Sequence, residues 1–249
     1  MKKGEIIDRT GEKWVTNEGY TIEIIEYFNS KNCTIQFEDG TIIKNINHSN
    51  IKKGNVSNPY HKSVLGVGYF GVGSYKAKID KKHTNNYLVW RSMLVRCYDK
   101  GYHKRKPTYK GCTVNERWHN FQIFAEWCEN NFKKGFELDK DVLCKDCKNY
   151  SPETCCFLPS EVNIIFAKSN STRGKYPIGV GELRGKFQAN IRINGKQVYL
   201  GLFDTPEEAF QAYKVAKEAH IKEVADKWKD QITEKVYQAL IKYQIEITD

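Results

Sequence analysis

The sequence predicts an α+β protein built from three modules, and three observations lead there. Short runs of alternating apolar and polar residues, closed by the turn pairs Asp39-Gly40 and Asn194-Gly195, occur near both ends and predict antiparallel strands. Apolar residues at helical spacing fill two middle segments and the long stretch after Thr205-Pro206. The chain has 249 residues, a length that suits two or three compact modules better than one small core.

The first module is expected over residues 1–62. The segment from Tyr20 to Tyr27 alternates in the manner of a half-buried strand, as does Cys33 to Phe37, and Glu38-Asp39-Gly40-Thr41 turns the chain into Ile42-Ile43. Three or four short strands with tight turns predict a small antiparallel β-barrel, which in outline resembles the Tudor-like modules. Lys44, Lys52, Lys53 and Tyr60 could dock a nucleic acid or another partner, or merely keep a folding cap wet.

The middle module is expected over residues 63–167. Gly66 to Gly73 is glycine-rich but lacks the Lys-Ser/Thr that a phosphate loop requires, so it predicts a hairpin leading into a strand over 75–79. A helix opening at Asn86 places Tyr87, Trp90, Leu94 and Cys97 on one face and leaves Arg91, Arg96 and Lys100 for other work. The loop Gly101–Lys110 carries His103, Lys104, Arg105, Lys106 and Lys110 beside Tyr102 and Tyr109, a composition suited to tracking phosphates while bases stack, or to a solvated loop with no partner. Trp118 to Cys128 predicts a second helix with His119 at its start.

Beyond that helix, the run Leu138-Asp139-Lys140-Asp141 is followed by Thr154, Cys155-Cys156 and Asn163. Together with Trp90 to Tyr98, Pro107 to Cys112 and Trp118 to Phe121, it resembles a phage-encoded group of HNH-type endonucleases. The resemblance implies a ββα core in which Asp139 and Asn163 occupy the two metal-ligand places. Their hard oxygens suit Mg²⁺ or Mn²⁺. The catalytic places are degenerate, because Lys140 stands where the general-base histidine is usual and Thr154 where the middle asparagine is usual. A lysine serves as base at neutral pH only if its pKa falls by about 3 units, roughly 4 kcal/mol. Asp139 and Asp141 flank Lys140 and push the other way. Phosphodiester hydrolysis is therefore expected to be lost or weakened. Spacing alone is better served by an ordinary strand, turn and helix with solvated charges, and it is the surrounding run that favours the resemblance.

Residues 168–175 predict a polar linker, and 176–249 a third module. Strands are expected over 176–180, 185–193 and 197–203, then a helix opened by a capping box from Thr205 to Glu208 with Pro206 at its first position. The run from Tyr199 through Leu-Gly-Leu-Phe-Asp-Thr-Pro-Glu-Glu to Ala209 resembles the Apetala/ethylene-response-factor DNA-binding domain. That resemblance implies a three-stranded sheet lying in the major groove of double-stranded DNA. Period-two alternation sends Lys186, Gln188, Asn190 and Arg192 outward, with Gln197 and Tyr199 beside them and Arg184 at the turn. Gly181, Gln197 and Tyr199 depart from the plant pattern, so no base preference is carried over. Ile221, Val224, Trp228, Ile232, Val236 and Leu240 continue at heptad-like spacing, to pack on the module itself or to pair with a second copy as a homodimer.

Composition frames these readings. Lys and Arg number 40 against 30 Asp and Glu, a formal charge of +10 that fits a polyanionic partner or simple solubility. No apolar run approaches the roughly 18 residues of a membrane span, and no signal-peptide core follows Met1, so a cytoplasmic protein with no membrane partner is expected. The eight cysteines are expected as reduced thiols. Zinc is disfavoured, since adjacent Cys155-Cys156 cannot easily complete a tetrahedral site with Cys144 and Cys147. The rivals to a non-cutting DNA-binding protein are an active Mg²⁺-dependent homing endonuclease and an interaction protein that inhibits a host enzyme.

Overall fold

The computed structural model describes residues 7–166 and 175–248. It is mixed α and β, divided into two compact units, one of residues 7–76 with His119–Ile123 and one of Ala77–Trp118 with the described residues from Phe124 onward. The linker expected at 168–175 lies outside the described residues except for Lys175. Among the described residues, no helix is long and apolar enough to cross a membrane.

In the first unit, β1 (Lys13–Val15), β2 (Thr21–Asn29), β3 (Asn32–Phe37) and β4 (Ile42–Ile46) form one antiparallel sheet in that order. The expected barrel is not formed, because β1 and β4 remain the two edges of an open sheet. A short helix covers the sheet where closure would have done so. In α1 (His48–Lys52), capped by the Asn47 side chain, Ile51 is fully buried with Ile22, Ile24, Ile35 and Phe37. The Asp39-Gly40 turn is present, with Gly40 at φ 86° and the Asp39 carboxylate accepting from Thr41 N at 2.8 Å. The glycine-rich segment opens with a minimal antiparallel turn, in which Val64 and Gly68 exchange backbone hydrogen bonds, and continues as a cradle. The Gln122 amide accepts from Tyr75 N at 2.9 Å and donates to the carbonyls of Phe70 and Tyr75, and a Cβ on Gly73 would fall 2.3 Å from Gln122 Oε1.

In the second unit, β5 (Lys78–Ile79) and β6 (Lys82–His83) make a minimal hairpin, so the strand expected over 75–79 shortens to its last two residues. It leads directly into α2 (Asn85–Tyr98), where Thr84 caps and Trp90, Met93, Leu94 and Cys97 are buried. The loop expected from Gly101 to Lys110 is largely helical. Asp99 caps α3 (Lys100–Arg105) by accepting from Tyr102 N, and a 3-10 turn follows over Pro107–Tyr109. Strand β7 (Thr113–Val114) precedes a second 3-10 turn at Glu116–His119, which places His119 just before α4 (Phe121–Asn131). Strand β8 (Phe136–Asp139) pairs antiparallel with β10 (Cys156–Pro159), while β9 (Asn149–Tyr150) pairs parallel with β7, and α5 (Ser160–Ile165) closes a strand, turn, strand and helix.

Strands β11 (Val180–Leu183), β12 (Lys186–Ile193) and β13 (Lys196–Phe203) form the second antiparallel sheet. The first of them starts at Val180, where the expected strand ended. Gly179 forces this, since it sits at φ 79° with its Cα so close to Tyr213 that a Cβ would lie 2.0 Å from the ring. Both turns have paired positive φ values, Arg184-Gly185 at 53° and 77° and Asn194-Gly195 at 50° and 77°, which suits the right-handed twist of tight hairpins. The Thr205–Glu208 capping box is formed at the start of α6 (Pro206–Trp228). After a turn, α7 (Glu234–Ile241) folds back. Its Val236 and Leu240 join Ile221 and Val224 of α6 in one core with Val142, Cys156, Leu158 and Val162, so the stripe considered for pairing with a second copy is buried within the chain.

Candidate functional site

Two regions are in question, the turn after β8 and the outer face of the C-terminal sheet. At the first, β8 delivers Asp139 opposite Cys156, and both Asp139 and Lys140 are nearly fully buried. Asp139 Oδ1 accepts from Asp141 N and Val142 N, each at 2.9 Å, so the carboxylate holds the turn that carries its neighbours. Burial pushes its carboxyl above the ordinary carboxylate value, and these two N–H groups offset only part of that.

The Lys140 ammonium donates to Asp141 Oδ1 and lies 5.8 Å from the centre of the Tyr150 ring. Burial works against that charge, but the Asp141 carboxylate outweighs it, and the pKa ends above the ordinary lysine value. Lys140 is therefore a cation at neutral pH and no proton acceptor. Around it stand further cationic and phenolic groups. Arg96 Nη1 donates to the Leu138 carbonyl at 3.4 Å and also interacts with Tyr150, while His103 Nε2 lies 2.8 Å from the Arg96 carbonyl. Burial pushes the Tyr150 and Tyr109 hydroxyls up, which keeps them neutral.

Asn163, on α5, reaches a carboxylate of β8. Asn163 Nδ2 donates to Glu137 Oε2 at 2.6 Å, and Ser160 Oγ donates to Glu137 Oε1 at 2.8 Å. Glu137 went unremarked in the sequence, although it precedes Asp139 by two residues and therefore shares its face of β8. Thr154 closes the turn into β10, its hydroxyl donating to the Asn149 carbonyl at 2.8 Å. These bonds engage the Asn163 amide nitrogen and one Asp139 oxygen, while a hard cation such as Mg²⁺ would be held by the Asn163 amide oxygen and the second Asp139 oxygen. Among the described residues, no three His, Cys, Asp or Glu side chains gather as metal ligands. Cys144 and Cys147, expected as thiols, are brought side by side across the turn, their Cα atoms 5.5 Å apart. Cys155 and Cys156 are buried, and burial raises the Cys155 pKa to about 12.

The second region is built by alternation. In β12, Ala189 and Ile191 are buried while Lys186 and Arg192 are exposed, with Gln188 and Asn190 half-buried on the same outer face. Pairing in β13 places Gln197 opposite Arg192 and Tyr199 opposite Asn190, and a bulge between Ala189 and Asn190 preserves that match. Tyr199 is 58% exposed, with Leu183 and Leu202 exposed beside the polar row. Lys186 Nζ is 2.8 Å from Asp204 Oδ1, and Arg184 occupies the β11–β12 turn. Lys104, Arg105 and Lys106 lie elsewhere, at the end of α3, where the Arg105 guanidinium sits 5.7 Å from the Tyr102 ring centre.

Comparison of the chain with models of protein families, with curated proteins and with solved structures gave no match. Functional argument therefore rests on the two sites themselves.

Proposed function

We propose that this chain binds double-stranded DNA as a protein of the phage HNH-associated type. In this reading the C-terminal sheet meets the major groove, the cations at the end of α3 add backbone affinity, and the HNH-like centre holds its fold without hydrolysing the duplex. One observation carries it: α6 packs against one face of the three-stranded sheet, while the other carries Lys186, Gln188, Asn190, Arg192, Gln197 and Tyr199 in cross-strand register. Those side chains are the donors and acceptors that base edges and phosphates pair with, on an element narrow enough for a groove about 12 Å wide.

The absence of hydrolysis is supported by charge. General-base catalysis requires a group that can take a proton near neutral pH, whereas Lys140 is held as an ammonium by Asp141. Asp139 and Asn163 each serve a structural partner.

Replacing Arg192 or Lys186 with Ala tests the sheet. Each variant should lose about tenfold in duplex affinity, the lower end of the 1–3 kcal/mol carried by one good base contact. Full affinity in both removes the sheet from the interface. If the parent chain binds no duplex at all, its cationic surface is left to a protein partner.

A further inference from the structure

The β5–β6 hairpin has no role in the sheet or in the HNH-like centre, yet it is among the most cationic short elements of the fold. Its six residues run Lys78-Ile79-Asp80-Lys81-Lys82-His83, and all six are exposed. Lys78 pairs with His83 and Ile79 with Lys82, while Asp80 and Lys81 turn the chain with φ values of 49° and 65°. Non-glycine residues rarely adopt such angles, so the tip is held in a defined shape at some conformational cost. Among the described residues, Lys78, Lys81 and Lys82 make no ion pair, and Ile79 stays 57% exposed between them.

The base of the hairpin is anchored. His83 stacks on Tyr87 of α2 with ring centres 4.6 Å apart and planes 16° from parallel, and Thr84 N donates to the Ala77 carbonyl at 3.1 Å. The first turn of α2 holds no acidic residue to neutralise the helix N-terminus beside the ribbon, and Arg91 is exposed two turns further on. Three clustered lysines on an anchored ribbon repel one another in the free protein, and a polyanion relieves that repulsion.

We infer that the β5–β6 hairpin is a second duplex contact, its three lysines on phosphates and Ile79 against the sugar edges between them. This rests on the DNA-binding reading above and adds a site that the C-terminal sheet does not include. A two-stranded ribbon fits a groove of B-form DNA, and each phosphate contacted by lysine steepens the salt dependence of binding by about 0.9 in logarithmic slope.

The test is anisotropy of the full chain on a mixed-sequence 40-bp duplex (a length of about four helical turns) across a salt series. Three proteins are compared: the parent, the triple variant Lys78→Gln, Lys81→Gln, Lys82→Gln, and a control with the same formal charge, Lys31→Gln, Lys134→Gln, Lys222→Gln. All six lysines are exposed, so the folds should match by circular dichroism. The hairpin variant should flatten the slope by about 2 to 3 and lose at least about tenfold in affinity near 0.1 M salt, with the control close to the parent. A hairpin variant that binds as the parent does, or a control that weakens equally, overturns the hairpin contact while leaving DNA binding intact. A parent with no salt-dependent binding overturns the DNA reading itself.

Discussion

Asp139, a candidate metal ligand in the sequence, also holds a turn of the fold. Its Oδ1 holds two backbone N–H groups of a buried turn, so a side chain with no acceptor leaves both unsatisfied. Asp139→Ala should cost about 1–3 kcal/mol in chemical denaturation. Asp139→Asn keeps an acceptor oxygen and behaves differently with pH. Burial raises the folded-state pKa of Asp139 above its ordinary value, so the ionised carboxylate weakens the fold at neutral pH, and that penalty fades as pH falls through the folded value. Asp139→Asn should therefore gain stability relative to the parent as pH rises from about 4 toward 7. An Asn variant that loses as much as the Ala variant at neutral pH would show that the charge itself is needed there.

At the scale of elements, Gly179 sets where the C-terminal sheet begins. Its φ of 79° and the Tyr213 ring 2.0 Å from where a Cβ would stand leave no room for a side chain. Gly179→Ala should cost at least about 2 kcal/mol from overpacking and backbone strain, read as a lower denaturation midpoint. An unchanged midpoint would mean that β11 does not meet α6 in this way. The elements also show what could be read in the sequence. Local chemistry was legible: the Asn194-Gly195 turn and the Thr205–Glu208 capping box follow from two to four adjacent residues, and the outward row on β12 from alternation over seven. Two kinds of feature were not. Barrel closure depends on whether edge strands find each other, and α1 covers the core of the N-terminal sheet instead. The helix α3 is only six residues long and carries no apolar stripe, so Asp99, the cap that starts it, is its one local signal. Around β8, the places of Asp139 on a strand and Asn163 on a helix follow what the resemblance implied, whereas the turn of Asn163 toward Glu137 depends on a strand pairing that no local pattern encodes.

At the scale of the molecule, the β8–β10–α5 segment and the C-terminal module share a single core. Leu158 and Val162 are buried together with Phe210, Ile221 and Leu240, and Glu161 accepts from Lys227 and Trp228 across α5 and α6. A fragment of residues 175–249 would expose the apolar side of α6 and α7 that this core covers. It should unfold at a markedly lower denaturant concentration than the full chain, and equal stability would contradict the shared core.

The most direct measurement is a single titration of the full chain on a labelled duplex with Mg²⁺ present, read for both binding and strand integrity. Binding through six or more phosphates should weaken roughly a thousandfold between about 50 and 200 mM salt, and the DNA should stay intact. Mg²⁺-dependent strand breaks that disappear in Asp139→Asn would contradict the assignment of Lys140 as an ammonium that ends the hydrolytic chemistry.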